Sequence, residues 1–489
     1  MTTPATARPL ENAVFSAAML AHRLPWADAP ARALGLDALT REGAARGVLG
    51  HLRRSRSGRP VRLRTPFGTF LVPLAPADTA GLLAEGAASD ALAPAVRLDA
   101  AGRRHGLHPH APLPPDAAVP AAVFAGPLAE ELERVAAAPG EDHALSWEAW
   151  RPGLLRAARR VVAGAAAADD TLLSEVLPRA AAAAGSRAYD ARAAALHRRL
   201  APYLSDPDPA SVAARLARGT AAVPAARARE GAATGEGRQE AASAHMLAHT
   251  LAVVSDAAVT TAFQALALSA AGLPDAAAHP AGAVALALAH FPPVEAAVHP
   301  VRTPFVWDGL AVAPGTEILA APAWLRDGAD ASPGQEAEPD AAGDLHQEGT
   351  SPFCGSATGC TATAFAVRVA EEIVRFFTAT APPVLLSPAL APDRMPLALA
   401  PHTLRVAVPP AGAAPQDAPA AGPASSAALA RADADRLDGH ARALAACAAE
   451  PGWNGDETGE RFRARLLEHA ERCTRAASDV RAAARHLGD

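Results

Sequence analysis

Apolar residues recur at helical spacing along most of this 489-residue chain, and only short segments alternate in the manner of β-strands. One such segment is VRLRTPFGTFLVPL, from Val61 to Leu74, where apolar and polar residues alternate on both sides of a Pro–Gly turn. This pattern predicts two strands joined in a hairpin. Because helical patterns dominate elsewhere, we predict a mainly α-helical protein with a small β-sheet.

The longest predicted helix runs from Ser243 to Ala271, where Gly and Pro residues end it. It is apolar nearly all round, which indicates burial through the centre of a domain. Polar residues interrupt its uncharged stretch, so we interpret it as a core helix and expect no membrane as a partner. The N-terminus carries Glu11 and no uninterrupted apolar segment, so we expect no secretory signal and a cytoplasmic protein.

Changes in composition along the chain indicate the domain organisation. Polar stretches rich in Gly and Ala predict loops at residues 226–242 and 327–350. Residues 411–426 are a linker rich in Pro and Ala. We therefore predict one domain over residues 1–410 and a separate C-terminal helical hairpin over residues 427–489.

The overall composition excludes several classes of protein. Half of the residues are apolar but only 4% are aromatic, so Ala, Leu and Val must fill the core. All 45 basic residues are Arg, and with 51 acidic residues the formal charge is -6. This balance gives no excess of positive charge that would attract nucleic acid, and we expect no nucleic acid as a partner. Four cysteines are too few and too unevenly placed for a disulfide scaffold.

The segment SPFCGSATGCTATAF, which starts at Ser351, carries the most informative chemistry. A loop of small residues delivers Cys360 to the start of a predicted helix, where unpaired N–H groups favour a thiolate, the form that binds metals. Cys360 can equally be a small buried hydrophobic residue. Cys354 and Cys360 can also share a metal or form a disulfide, although a cytoplasmic setting argues against the disulfide.

The stretch from Phe353 to Cys360, with Ala362 two residues further on, resembles the cysteine-ligand loop of the cytochrome P-450 family of haem-thiolate monooxygenases. That family's pattern is Phe, two residues, Gly, three residues, Cys, one residue, and Gly or Ala. Here Ser356 stands in place of the Gly. The hairpin, residues 146–164, the long helix and residues 307–327 resemble further family segments in the same order. The resemblance covers roughly residues 30–410 and is to a bacterial-type member.

This resemblance implies the family's fold and a haem b whose iron takes Cys360 as its axial thiolate ligand. It implies that a small apolar substrate is oxidised by dioxygen, with electrons from a separate ferredoxin-type protein. Phe353 would help to bind the cofactor. His299 aligns with the basic residue that reaches a haem propionate, and Arg302 is the substitute that we prefer.

Several positions matter for oxygen chemistry in that family. Asp256, Thr260 and Thr261 stand where its central helix carries an acid and a Thr. A helical Thr can donate to bound dioxygen or only to its own i−4 carbonyl, and Asp256 can relay protons or form a structural pair. The family's Glu-x-x-Arg pair is absent, with Leu286 and Ala289 at its positions. These departures support an alternative hypothesis, a degenerate, non-catalytic protein that acts as a binding or partner-activating module.

Two further signals are weaker. His105, His108 and His110 suggest a metal site, but loops with several His and no other fixed ligand are usually solvated. The turn from Trp453 to Gly455 resembles that of small helical-hairpin proteins handled by specialised secretion systems. The tail is then expected to mediate protein–protein contact, with an oligomerisation or docking appendage as the alternative.

Overall fold

The structure of this chain is a computed structural model. It describes residues 4–21, 37–66, 68–93, 95–98, 104–106, 120–137, 144–183, 188–221, 235–273, 276, 279–325, 350–355, 360–379, 382–388, 390, 395–408, 426–449 and 457–486. The chain forms two compact units, Met1–Gly412 and Ala413–Asp489. The predicted linker up to residue 425, the predicted turn at Trp453 and the residues His108, His110 and Ser356 lie outside the described residues.

Helices dominate the described chain, which confirms the predicted fold class. The helices of the first unit are α1 (Pro9–Ala21), α2 (Arg41–Ser55), α3 (Pro76–Ala88), α4 (Ala121–Ala137), α5 (Trp147–Ala163), α6 (Thr171–Ala182), α7 (Tyr189–Ser205), α8 (Val212–Ala221), α9 (Gly235–Ala252), α10 (Val259–Ala270), α11 (Pro280–His290), α12 (Pro322–Leu325) and α13 (Thr361–Thr378). The second unit contains α14 (Ser426–Ala449) and α15 (Glu457–His486).

The described strands form one larger sheet and two small ones. They are β1 (Ala5–Thr6), β2 (Val61–Thr65), β3 (Gly68–Val72), β4 (Val96–Leu98), β5 (Arg104–Gly106), β6 (Ala144–Ser146), β7 (Ala296–Pro300), β8 (Phe305–Trp307), β9 (Leu310–Val312), β10 (Glu317–Ala320), β11 (Val384–Ser387) and β12 (Arg405–Ala407). The larger sheet has the order β1-β2-β3-β10-β7-β4-β5, and the others are β11-β12-β6 and the hairpin β8-β9.

The hairpin predicted from residue alternation is present. Strands β2 and β3 are antiparallel and pair Val61 with Val72 and Leu63 with Phe70. These four side chains are all fully buried, while Arg64 between them is exposed. The two-residue period therefore places one face of the hairpin in the core.

The central helix is confirmed as a core element, with one correction. Helix α9 continues through a π-helical segment, Val253–Ala258, into α10, so the helix begins at Gly235. The prediction of a loop up to residue 242 was therefore wrong over its last eight residues, because residues 238–242 (Arg-Gln-Glu-Ala-Ala) are polar or small but are strong helix formers. The span Ala242–Ala270 is long and apolar enough to cross a membrane, but 78% of its most apolar window is buried inside the protein. That burial is the property of a core helix.

Charged side chains brace the helices α4 and α5. The carboxylate of Glu131, which is 1% exposed, contacts Arg134, Arg156 and Arg160 at 2.5, 2.7 and 2.9 Å. At the positions of the missing Glu-x-x-Arg pair, Leu286 packs against the core and Ala289 is exposed. An ion-pair network thus occurs in a different part of the domain from the one that the family pattern suggests.

The second unit is a pair of antiparallel helices that pack against each other through alanine residues. Buried Ala434, Ala441 and Ala448 in α14 repeat every seven residues, and Ala470, Ala477 and Ala484 do the same in α15. A seven-residue repeat keeps one stripe of each helix facing the other. Arg481 of α15 also bonds the carboxylates of Asp435 and Asp438 in α14 at 2.7 and 2.5 Å. The predicted C-terminal helix pair is confirmed.

Candidate functional site

Cys360 lies at the start of an amphipathic helix, as the sequence predicts. It is the N-cap residue of α13, and its carbonyl accepts a hydrogen bond of 2.8 Å from the amide of Thr363. Its thiol is 1% exposed. Phe365, Val369 and Ile373 of the following helix are all buried in the same core, which fixes the helix and therefore the position of Cys360.

The turn before Cys360 is held against strand β7. The amide of Val294 donates to the carbonyl of Pro352 at 2.9 Å, and the hydroxyls of Ser351 and Thr363 are 2.5 Å apart. Gly355 has a φ of +67°, and a Cβ added there would lie 2.8 Å from the Cβ of Ala297. Both the backbone conformation and the close approach require glycine. These contacts therefore fix the position of Cys354, while helix α13 fixes that of Cys360.

The central helix contributes a histidine that contacts this turn directly. Nε2 of His249 lies 3.4 Å from Sγ of Cys360. Sγ of Cys354 completes a cluster of three donor atoms, all within 4.8 Å of one another. The exposed fractions are 3% for His249 and 1% for each cysteine. We call these three residues the Cys–His cluster.

Sequence reasoning missed the part that His249 plays. The signal that could have found it is His245 followed by His249, since residues four apart lie on one face of a helix. Both histidines line a cavity of about 30 Å³ together with His197, whose ring is 4.1 Å from that of His245. Burial and, second, the charge of His245 lower the pKa of His197 to about 4. A neutral His197 is therefore the dominant form at pH 7.

A larger cavity of about 270 Å³ lies beside the π-helical segment. Its lining is mostly apolar and includes Leu155, Leu177, Pro178, Ala181, Val253 and Phe353. Arg151, Ser174 and Asp256 add polar groups. Asp256 is exposed and belongs to the π-helical segment, whose turns are wider than those of an α-helix.

The structure separates the other predicted site residues from this cavity. Thr261 is fully buried, and its hydroxyl has no hydrogen-bond partner among the described residues, so it does not bond its i−4 carbonyl. Thr260 is partly buried and does not line the cavity. His299 is a buried residue of β7. Arg302 donates to the carbonyl of Leu92 at 2.8 Å and does not line the cavity.

Comparison with known proteins gives a likeness of fold. No protein-family model and no curated protein matches the chain. CYP108D1 from Novosphingobium aromaticivorans is 14% identical at a TM-score of 0.48 and covers 70% of this chain and 89% of its own. Cytochrome P450 CYP109B1 from Bacillus subtilis is 12% identical at 0.47, covering 73% and 97%. Substrate-free cytochrome P450 CYP150A6 from Mycobacterium marinum is 13% identical at 0.48, covering 75% and 96%.

These structures come from the family whose motifs the sequence resembles. It is the sequence resemblance that implies a haem held by the thiolate of Cys360, and the described residues test whether that group fits. The donor in this chain is suitably placed, because Cys360 is buried at the start of a helix. The space is not suitable. Nε2 of His249 lies 3.4 Å from the sulfur that would bind the haem iron, so the imidazole occupies space directly beside that donor. The adjacent cavities, about 30 and 270 Å³, are also below the roughly 300–1,000 Å³ of cofactor sites. Among the residues that the structure describes, those next to Cys360 do not leave room for a haem on its sulfur.

Proposed function

We propose that this protein is a non-catalytic binding module of cytochrome P450-like fold that takes up a small apolar molecule. The observation that carries the proposal is the 3.4 Å contact between His249 Nε2 and Cys360 Sγ, because it places an imidazole against the sulfur that a haem iron would need. The absence of the Glu-x-x-Arg pair at Leu286 and Ala289 supports it as well.

The cavity beside the π-helical segment is the binding site in this proposal. Its apolar lining from α5, α6 and the central helix excludes strongly polar ligands, since desolvating them without partners is costly. Arg151, Ser174 and Asp256 provide a few polar groups that can orient a ligand. At about 270 Å³ the cavity is slightly smaller than the roughly 300–1,000 Å³ of typical ligand sites, so it suits a small ligand.

A second candidate function is a haem-thiolate monooxygenase that oxidises an apolar small molecule with electrons from a ferredoxin-type donor. The observation that favours it is the placement of Cys360, with Phe353 buried just before it. For this function His249 has to leave the sulfur. The two candidates therefore differ in whether a haem can reach Cys360.

The deciding experiment is the carbon monoxide difference spectrum of the reduced protein, purified from haem-supplemented cells. We expect no thiolate-type band from the wild type. The variant His249→Gly removes the imidazole, and a band that appears only in this variant and is lost in His249→Gly with Cys360→Ser would identify His249 as the obstacle. A wild-type band that survives Cys354→Ser and disappears in Cys360→Ser would overturn the proposal in favour of the monooxygenase.

Ligand uptake is measured separately with an apolar fluorescent probe. Ala181→Phe places a large side chain at the cavity wall, so we expect it to abolish probe binding. Leu172→Phe is the matched control, because Leu172 is 52% exposed on the same helix α6. Equal probe binding by the two variants would contradict the assignment of the cavity.

A further inference from the structure

We infer that His249, Cys354 and Cys360 form a binding site for one zinc ion. Imidazole nitrogen and thiolate sulfur are the donors that zinc prefers, and a set of two Cys and one His occurs in zinc enzymes. The three donor atoms converge from two separate elements, the central helix and the turn before α13. This site goes beyond the proposed binding of an apolar molecule. It shares one premise with the proposed function, namely that Cys360 binds no haem.

The spacing of the donors agrees with tetrahedral coordination. Zinc lies about 2.3 Å from thiolate sulfur and about 2.0–2.1 Å from imidazole nitrogen. In a tetrahedron these bond lengths place a nitrogen and a sulfur about 3.5 Å apart, and two sulfurs about 3.8 Å apart. In the structure, the distance from His249 Nε2 to Cys360 Sγ is 3.4 Å. The distance between any two of the three donor atoms is at most 4.8 Å. An ion can be coordinated by small rotations of the side chains.

The surroundings also suit a metal rather than a reactive thiol. All three residues are at least 97% buried, as their exposed fractions of 3%, 1% and 1% show, so a substrate has no direct access to the sulfurs. The bonds of Ser351 and Pro352 hold the turn that carries Cys354, and Cys360 is fixed as the N-cap residue of α13, which lowers the conformational cost of binding. Three protein ligands leave one position of a tetrahedral ion for water.

The experiment uses the full chain, reduced and freed of metal by a chelator, and titrates it with Co²⁺ as a spectroscopic substitute for zinc. We expect one ion per chain, with absorption from thiolate-to-cobalt charge transfer. Zinc should then displace the cobalt and remove this absorption. Elemental analysis of the protein as purified gives an independent stoichiometry.

Variants assign the ligands. Mutating a residue that only hydrogen-bonds to a metal ligand typically lowers metal affinity about 10–100-fold. Cys354 and His249 bind the metal themselves, so Cys354→Ser and His249→Gln should each weaken Co²⁺ binding more than about 100-fold. Cys447→Ser is the matched control, because Cys447 is a half-buried thiol of α14 outside the cluster. Circular dichroism shows whether each variant is folded, and two independent ligand variants keep the test decisive if one of them is not.

Three results would overturn the zinc site. The first is reduced wild-type protein that gives no cobalt–thiolate absorption. The second is absorption that persists at unchanged affinity in both Cys354→Ser and His249→Gln. The third is a Cys354–Cys360 disulfide found by mass spectrometry in protein purified with zinc present. These results come from cobalt absorption and mass spectrometry, whereas the proposed function is tested by the carbon monoxide spectrum and probe binding. Failure of the zinc site and failure of the proposed function are therefore distinguishable.

Discussion

Replacing Glu131 by Gln should destabilise the first unit more than any other single change of charge that we consider. The carboxylate is 1% exposed and contacts three arginines, Arg134, Arg156 and Arg160. Removing one partner of a buried ion pair costs about 3–5 kcal/mol. Two of the arginine side chains, Arg134 and Arg156, are 56% and 30% exposed and can regain water. We therefore expect a loss of about 3 kcal/mol, the lower end of that range.

Glu130→Gln is the matched control for this measurement. Glu130 precedes Glu131 in the same helix and pairs with Arg160 at 2.5 Å, but its side chain is 58% exposed. An exposed pair contributes about 0–1 kcal/mol. Urea unfolding followed by tryptophan fluorescence measures both variants, because Trp150 is fully buried and packs against Phe263. The midpoint should shift for Glu131→Gln with little change in slope.

The pH dependence provides a second check on the same residue. Burial raises the pKa of Glu131, but hydrogen bonds from Arg134, Arg160 and Arg156 outweigh it, and the pKa lies below 4.5. A lowered carboxyl pKa contributes stability above the unfolded pKa, and this stability is lost as pH falls through the folded pKa. The difference between wild type and Glu131→Gln should thus stay constant from about pH 8 to 5 and shrink below about pH 4. Equal midpoint shifts for the two variants, or a difference that grows in acid, would refute the reasoning.

The remaining predictions concern the turn, the tail and a histidine. Gly355→Ala should cost about 1–3 kcal/mol in urea unfolding, because the residue has a positive φ and no room for a Cβ, whereas Gly126→Ala in helix α4 has open space and should be neutral or stabilising. Truncation after Pro410 should leave a folded first unit with unchanged probe binding, and insoluble or unfolded protein would show that the tail completes the core. His197 should titrate near pH 4 by NMR, because burial and His245 lower its pKa to about 4. Since its folded pKa is lowered, the stability that it contributes is present above its unfolded pKa of about 6.5 and lost as pH falls toward 4. The variant His197→Leu should lose less stability than wild type over that interval, and titration of His197 near 6.5 would contradict the prediction.

Local sequence pattern was sufficient for most elements of the fold. The alternation around Val61 predicts the hairpin, and the apolar run after Cys360 predicts the 18-residue helix α13. The helical patterns on both sides of the Pro–Gly turn at residues 451–452 also predict the two helices of the tail. These features depend on which face of a segment is apolar, and a strand or helix displays that face through its own periodicity. The local pattern failed at residues 235–242, where few apolar residues mark the helix.

Only the tertiary structure decided what surrounds Cys360. The sequence placed this residue at the start of a helix and, through the family resemblance, assigned it to a haem. His249 is 111 residues away in the chain, and no local pattern states that its imidazole contacts the sulfur. The same holds for Glu131 and its partner Arg160, which are 29 residues apart on different helices. Periodicity specifies that a side chain is buried, but the identity of its neighbour depends on how distant helices pack, and that packing decides between a thiolate open to a cofactor and a cysteine closed by a histidine.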